Sequence, residues 1–239
     1  MHKVEYSGVI VSKWIYLLFI VFSHQCIAKL HIVTEHFPPA QYLDDNNKLT
    51  GYLVEKVRKA LDASSLDYSI TVNSWSTAFN TALRDPKTCI FSVSRSAERE
   101  DKLLWIAELA KLNAYFYALN SKDIKLADIE QAKKYRIAVL KDNYSHHYLV
   151  AQGFEVGKNL LLMDSFDNIF HIVRNRKSSI DLVILPEQRA IYEQRQQKIG
   201  DLLQPILKLN TNQPSLYFAC NKNIDNISKL ELIRAFTAM

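Results

Sequence analysis

The run Phe91-Ser92-Val93-Ser94-Arg95-Ser96-Ala97-Glu98-Arg99-Glu100 joins hydroxyls to a guanidinium where an apolar segment ends. Cys89 to Val93 reads as a buried strand, Ser92 and Ser94 stand at its carboxyl end, and a charged turn then carries Arg99. Open α/β sheets bind ligands outside the carboxyl ends of their strands. An arginine fork matches a carboxylate with two parallel hydrogen bonds. Capture of a small anion is therefore the chemistry this stretch suits. The same residues also suit a solvated turn in which Ser96 caps a short helix and Glu98 favours its first turn. Other residue types that could do chemistry are more scattered. His146 and His147 are adjacent, and neighbours on a helix do not face one ligand together. His36 and His171 have no recognisable metal spacing to them, and no nucleophile motif of the Gly-x-Ser-x-Gly kind occurs. No cofactor and no metal is expected.

The elements that must position these residues follow from pattern. Leu30 to Thr34 is a first strand, ended by Glu35-His36-Phe37-Pro38-Pro39. The polar run Asp44 to Lys48 makes a loop or small hairpin before Gly51. Leu53, Val54, Val57, Ala60 and Leu61 recur at helical spacing. Leu66 to Val72 is a strand, and Ser74 can cap a helix that stops at Asp85-Pro86. Strand, helix, strand, helix, strand implies a parallel sheet with crossover helices. Ala114 to Leu119 is a strand with no helix beside it in sequence, and Asp128 to Ala132 is a short helix. A second alternating unit starts at Arg136: strand to Leu140, helix from Asn143-Tyr144-Ser145, strand Leu160 to Met163, helix Phe166 to Arg174, strand Ile180 to Leu185, helix Glu187 to Gln196. Leu216 to Cys220 is another isolated strand, and a helix from about Ile227 ends the chain. The expected fold class is α/β, with two lobes. Lobe one takes residues 29–113 and 219–239 and lobe two takes 114–218. Strands 114–119 and 216–220 form a two-stranded hinge.

Composition bounds the classes. The 239 residues are 48% hydrophobic and 23% charged, which is ordinary globular composition. A formal charge of +5, spread along the chain, gives no argument for nucleic acid. Lys3 and Lys13 precede the apolar run Trp14 to Phe22, and Cys26-Ile27-Ala28 ends a small-residue site. That reads as a secretory signal peptide over 1–28, with cleavage expected after Ala28 and an uncleaved membrane anchor as the alternative. The apolar core is too short to span a bilayer comfortably. Of the two cysteines that remain, Cys89 and Cys220 both sit in apolar strand-like runs, and free buried thiols are the favoured reading. An oxidising compartment leaves pairing open.

With these pieces placed, the chain resembles the bacterial extracellular solute-binding proteins of family 3, the periplasmic amino-acid-binding proteins of ABC importers. The resemblance rests on Thr34-Glu35-His36-Phe37-Pro38-Pro39 with Gly51-Tyr52, on Ser92-Val93-Ser94 with Ala97-Glu98-Arg99, and on Ile180-Asp181-Leu182-Val183-Ile184. It covers almost all of Leu30 to Met239. It implies the two-lobed type II periplasmic-binding-protein fold and closure of a monomer around a ligand. It implies that Arg99 grips a ligand carboxylate with help from Ser94 and Ser92, and that Phe37, Tyr42 and Trp75 wall the pocket. Glu35 matches a polar first-loop position. Asn143, Tyr144 and Ser145 match a loop whose amides, at a helix amino end, meet the carboxylate.

Two departures from the family's pattern bear on the ligand. The lobe-two loop normally has glycines where this chain has Asn143 and Ser145. The aspartate that normally pairs with an α-ammonium is replaced by Pro186, with Glu187 one residue later. A buried ammonium without a carboxylate is costly, so either Glu187 or Glu35 takes the role, or the ligand is not a standard α-amino acid. The implied function is capture of an amino acid or other small carboxylate, for an importer with an inner-membrane permease. A sensory or orphan binding module is the alternative. An enzyme is the rival class: the same fold occasionally hosts a dehydratase, and Glu35 or Glu187 could serve as its acid–base group if burial raised its pKa.

Overall fold

The computed structural model describes residues 29–175, 179–196, 202–210 and 215–239. The expected signal peptide and its cleavage site lie outside these residues. Among them, no helix is long and apolar enough to cross a membrane.

The first half of the chain runs β1 (Leu30–Glu35), β2 (Tyr42–Leu43), β3 (Leu49–Thr50), α1 (Tyr52–Asp62), β4 (Tyr68–Asn73), α2 (Trp75–Arg84), β5 (Thr88–Ser94), α3 (Ala97–Glu100) and β6 (Leu103–Lys111). The second half runs β7 (Ala114–Leu119), α4 (Ile129–Ala132), β8 (Ile137–Leu140), α5 (Tyr144–Ala151), β9 (Leu160–Met163), α6 (Phe166–Asn175), β10 (Leu182–Pro186), α7 (Glu187–Arg195), β11 (Leu203–Lys208), β12 (Ser215–Asn221) and α8 (Asn226–Thr237). Two five-stranded sheets result, ordered β4-β1-β5-β12-β6 and β11-β7-β10-β8-β9, beside a small β2-β3 hairpin. The parallel members, β4, β1 and β5 in one sheet and β10, β8 and β9 in the other, are joined by helices, as alternation requires. Each sheet is the centre of one lobe. Among the central strands, β5 is buried over all but its last residue and β8 throughout, which is why both read as unbroken apolar runs.

Helix starts follow their caps. Ser74 accepts from the Thr77 amide, Asp128 from Gln131, Asn143 from His146 and Asp225 from Ser228. Gly51 precedes α1 at φ 120°, and a Cβ there would come within 2.4 Å of the Ala40 carbonyl oxygen. Only glycine lets α1 start against the 37–41 turn, and that turn holds Phe37.

Four expectations differ from the structure. β6 was not foreseen: it lies antiparallel to β12 and is buried fully only at Leu103 and Leu109, so it lacks a clean alternation. β11 was also missed. It is the edge strand of its sheet and carries Pro205 beside a register shift, where the ladder can spare an amide. The strands expected as a two-stranded hinge do not pair with each other. β7 belongs wholly to the second sheet and β12 to the first. The chain therefore crosses at Leu112-Asn113 and has returned by Ser215. Finally, Cys89 and Cys220 are not free thiols. They face each other across β5 and β12 with Cα atoms 3.8 Å apart and are joined as a disulfide. The pairing was hidden because it depends on a non-local antiparallel contact across 131 residues of sequence.

A bridge closing so long a loop restricts the unfolded chain strongly. Replacing both cysteines by alanine is expected to lower the unfolding free energy by ~2–4 kcal/mol, read as a lower urea midpoint. Equal midpoints for the oxidised protein and the double variant would contradict a structural bridge.

Candidate functional site

Between the two sheets lies a cleft of about 660 Å³, counting the solvent at its mouth. The carboxyl ends of β1, β5, β8 and β10 all open onto it, with the amino ends of α2, α5 and α6. Nine of the eleven residues expected from sequence line it: Glu35, Phe37 and Trp75; Ser92, Ser94 and Arg99; Asn143, Tyr144 and Ser145. Tyr42 and Glu187 are not among the lining residues. Tyr42 sits at the rim, where its ring lies 5.7 Å from that of Tyr192 in the second lobe. The Glu187 amide donates to the Asn113 carbonyl at the crossover between lobes, and Pro186 occupies the wall instead.

Arg99 is the centre of the arrangement. It is 4% exposed, and its guanidinium lies 4.9 Å from the Trp75 ring and 5.0 Å from Phe79. Its Nη1 donates to the Ser94 carbonyl at 3.1 Å and its Nη2 to the Asp142 carbonyl at 3.0 Å. One acceptor comes from each lobe. Burial lowers its pKa to about 10, countered by nearby Glu98 and Glu35, so it remains a cation at neutral pH.

Two residues in left-handed backbone shape this geometry. Ser92, at φ 68°, is the extra residue of a bulge in β5 opposite the Tyr217–Phe218 step. Its hydroxyl donates to Gln41 Oε1 at 3.0 Å, tying the strand end to the first loop. Asp142, at φ 58°, turns its carbonyl out of the second lobe. That oxygen accepts from Trp75 Nε1 at 2.7 Å as well as from Arg99, and the Asp142 carboxylate accepts from Ser76 at 3.3 Å. Asn143 spends its side chain on the α5 cap. That gives asparagine a local reason to stand at this position.

Sequence reasoning missed Arg189. It projects from α7, is wholly buried, and lies with its Nη2 2.7 Å from Glu193 Oε1 and 3.5 Å from Asp167 Oδ1. Phe166 and Phe170 flank its guanidinium, each 5.3 Å from ring centre to charge. The i,i+4 spacing to Glu193 was visible, but solvent-exposed helical pairs have the same spacing. Arg189 opens onto a second hollow that adjoins the cleft and shares Glu35, Trp75, Leu140 and Phe166 with it. Asp164 and Asp167 line this hollow too. Glu35 stands where the two spaces meet. Burial pushes its carboxyl up to about 7, against the opposing pull of Arg189 and Arg99.

Comparison with known proteins bears on this arrangement. The family model of bacterial extracellular solute-binding proteins, family 3, matches residues 30–236. A search of curated proteins by sequence returned no match. Solved structures share the fold at low identity. A histidine kinase sensor domain with similarity to periplasmic binding proteins aligns with TM-score 0.78 and 17% identity, over 88% of this chain and 90% of that one. An ancestral arginine-binding protein bound to arginine aligns with TM-score 0.76 and 15% identity, over 88% and 92%. The arginine-, lysine-, histidine-binding protein ArtJ from Geobacillus stearothermophilus aligns with TM-score 0.72 and 16% identity, over 88% of each chain.

The Glu35 environment has a measurable consequence. A carboxyl whose folded pKa is raised from 4.5 to about 7 favours folding fully below pH 4.5 and loses that contribution as pH rises through 7. Glu35→Gln is therefore expected to gain stability relative to the parent between pH 5 and 8, by ~3 kcal/mol at most. Parallel stability–pH curves for the two proteins would contradict a buried, protonated Glu35.

Proposed function

The chain belongs to the bacterial extracellular solute-binding proteins, family 3, and from that premise we propose that it captures a small carboxylate-bearing ligand, an amino acid or a relative, by closing its lobes over Arg99. The observation that carries this reading is a buried arginine at the floor of an interlobe cleft, bonded to one carbonyl of each lobe. Two of its five N–H groups are used in those bonds. The others supply the fork for a carboxylate, and Ser94 lines the same cleft.

Glu35 takes the ammonium role in this reading. It lines the cleft and Glu187 does not. A ligand ammonium beside Glu35 would lower its raised pKa and expel its proton, so capture near pH 6.5 releases a proton in proportion to the protonated fraction. The adjoining hollow sets Asp164 and Asp167 beside Arg189, a mixed-charge lining that suits a ligand whose far end is polar. The lobes already meet in this arrangement, with Trp75 and Ser76 bonded to Asp142 and Phe37 5.9 Å from Phe166 between ring centres. A ligand favours that state only as far as it binds it better than the open one.

We place the protein in the periplasm as the capture component of an importer, delivering to an inner-membrane permease. The likeness to a histidine kinase sensor domain supports a second reading, a ligand-binding module that reports to a signalling partner. A permease and ATPase encoded alongside would favour the first, and a kinase the second. The raised pKa of Glu35 is also what an acid–base enzyme on this fold needs. Chemical change of the captured ligand, lost in Glu35→Gln, would select that reading over simple binding.

The test is a thermal-shift screen against amino acids, other small carboxylates, amines and short peptidoglycan fragments. A ligand at one hundred times its dissociation constant is expected to add ~2.7 kcal/mol of stability. Arg99→Ala is expected to abolish that shift, with an affinity loss of several kcal/mol. Undiminished affinity in Arg99→Ala would overturn the assignment.

A further inference from the structure

We propose that Asp142 is a latch whose bonds to the first lobe hold part of the population closed before any ligand is captured. The latch rests on the lobe closure described above, but not on what the ligand is. Three groups of the first lobe converge on this one residue of the second. Trp75 Nε1 and Arg99 Nη2 both donate to its carbonyl oxygen, at 2.7 and 3.0 Å, which uses both lone pairs. The Ser76 hydroxyl donates to its carboxylate at 3.3 Å. Every donor and acceptor belongs to the protein, so the set forms whenever the lobes meet.

Bonds inside the second lobe build the hook in advance. The Lys141 amide donates to the Met163 carbonyl at 2.8 Å, and the Asp142 amide donates to His146 Nδ1 at 3.1 Å. Asn143 caps α5 by accepting from the His146 amide. Together they keep Asp142 at φ 58°, so closure has little backbone left to order. The receiving side is equally fixed. Trp75 stacks on Phe79 with ring centres 5.4 Å apart, and Arg99 lies against both rings. Ser76 and Asp142 line a hollow beside the cleft and not the cleft itself, so a ligand need not displace them. Glu98 Oε2 and His147 Nδ1, 3.5 Å apart, add a further contact between the lobes there. Apparent affinity for a ligand that binds the closed form scales with the closed fraction, so the strength of the latch tunes affinity from outside the ligand's space.

The experiment is the distribution of distances between spin labels at Lys87 and Lys158, one on each lobe, measured without ligand. A population at the closed distance is expected in the parent. Ser76→Ala removes the hydroxyl, and Trp75→Phe removes the indole donor while keeping an aromatic ring. Each is expected to lower the ratio of closed to open molecules ~3-fold or more. Far-UV circular dichroism and cooperative thermal unfolding check that both variants fold. Absence of the closed population in the ligand-free parent, or a ratio unchanged in both variants, would overturn the latch. Neither result depends on ligand identity, so the carboxylate reading stands or falls separately.

Discussion

A guanidinium only 4% exposed needs acceptors, because an unpaired buried charge costs several kcal/mol. Arg99 finds them in two carbonyls that belong to different lobes. Much of the cleft follows from that requirement. Ser94 must end its strand with the carbonyl turned inward, and the bulge at Ser92 sits two residues before it. Asp142 must present its carbonyl from the far lobe, and left-handed backbone turns it that way. Trp75 and Phe79 must flank the charge, and the Ser74 cap starts the helix that carries both. The lobes meet at the arginine rather than merely beside it.

The second constraint is electrostatic. Glu35 lies in the fields of two arginines and is nevertheless pushed up to about 7, so desolvation outweighs both cations at this point. A buried carboxyl at that value can change charge in the physiological range at little cost. This makes it a suitable partner for a group that arrives charged and leaves with its solvent. Arg189 is held differently. Its charge is met by Glu193 and Asp167 and faced by two phenylalanine rings, an arrangement that stiffens α6 against α7 behind the second hollow.

The parts legible in sequence were those governed by local rules. The parallel strands and their crossover helices follow from periodicity and caps, and the turn from Ser94 to Arg99 announced itself by residue type. What stayed hidden depends on partners remote in the chain. β6 is a strand because β12 lies against it, and its own pattern is indistinct. The Cys89–Cys220 bond needs the same antiparallel return. Arg189 carries an ordinary helical ion-pair spacing, and only burial between α6 and the cleft separates it from a surface pair. Glu187 was a reasonable substitute for a missing aspartate one residue earlier. One residue along the chain at a helix start changes direction, and its amide instead holds the crossover at Asn113.

The central claim is that the lobes close on a carboxylate held by Arg99. It is tested most directly by the distance between spin labels placed at Lys87 of the first lobe and Lys158 of the second, both exposed. With a ligand found by screening, the distance distribution is predicted to shift and narrow in the parent protein and to stay unchanged in Arg99→Ala. The same shift in Arg99→Ala, or saturating ligand with no change in the parent, would contradict the account.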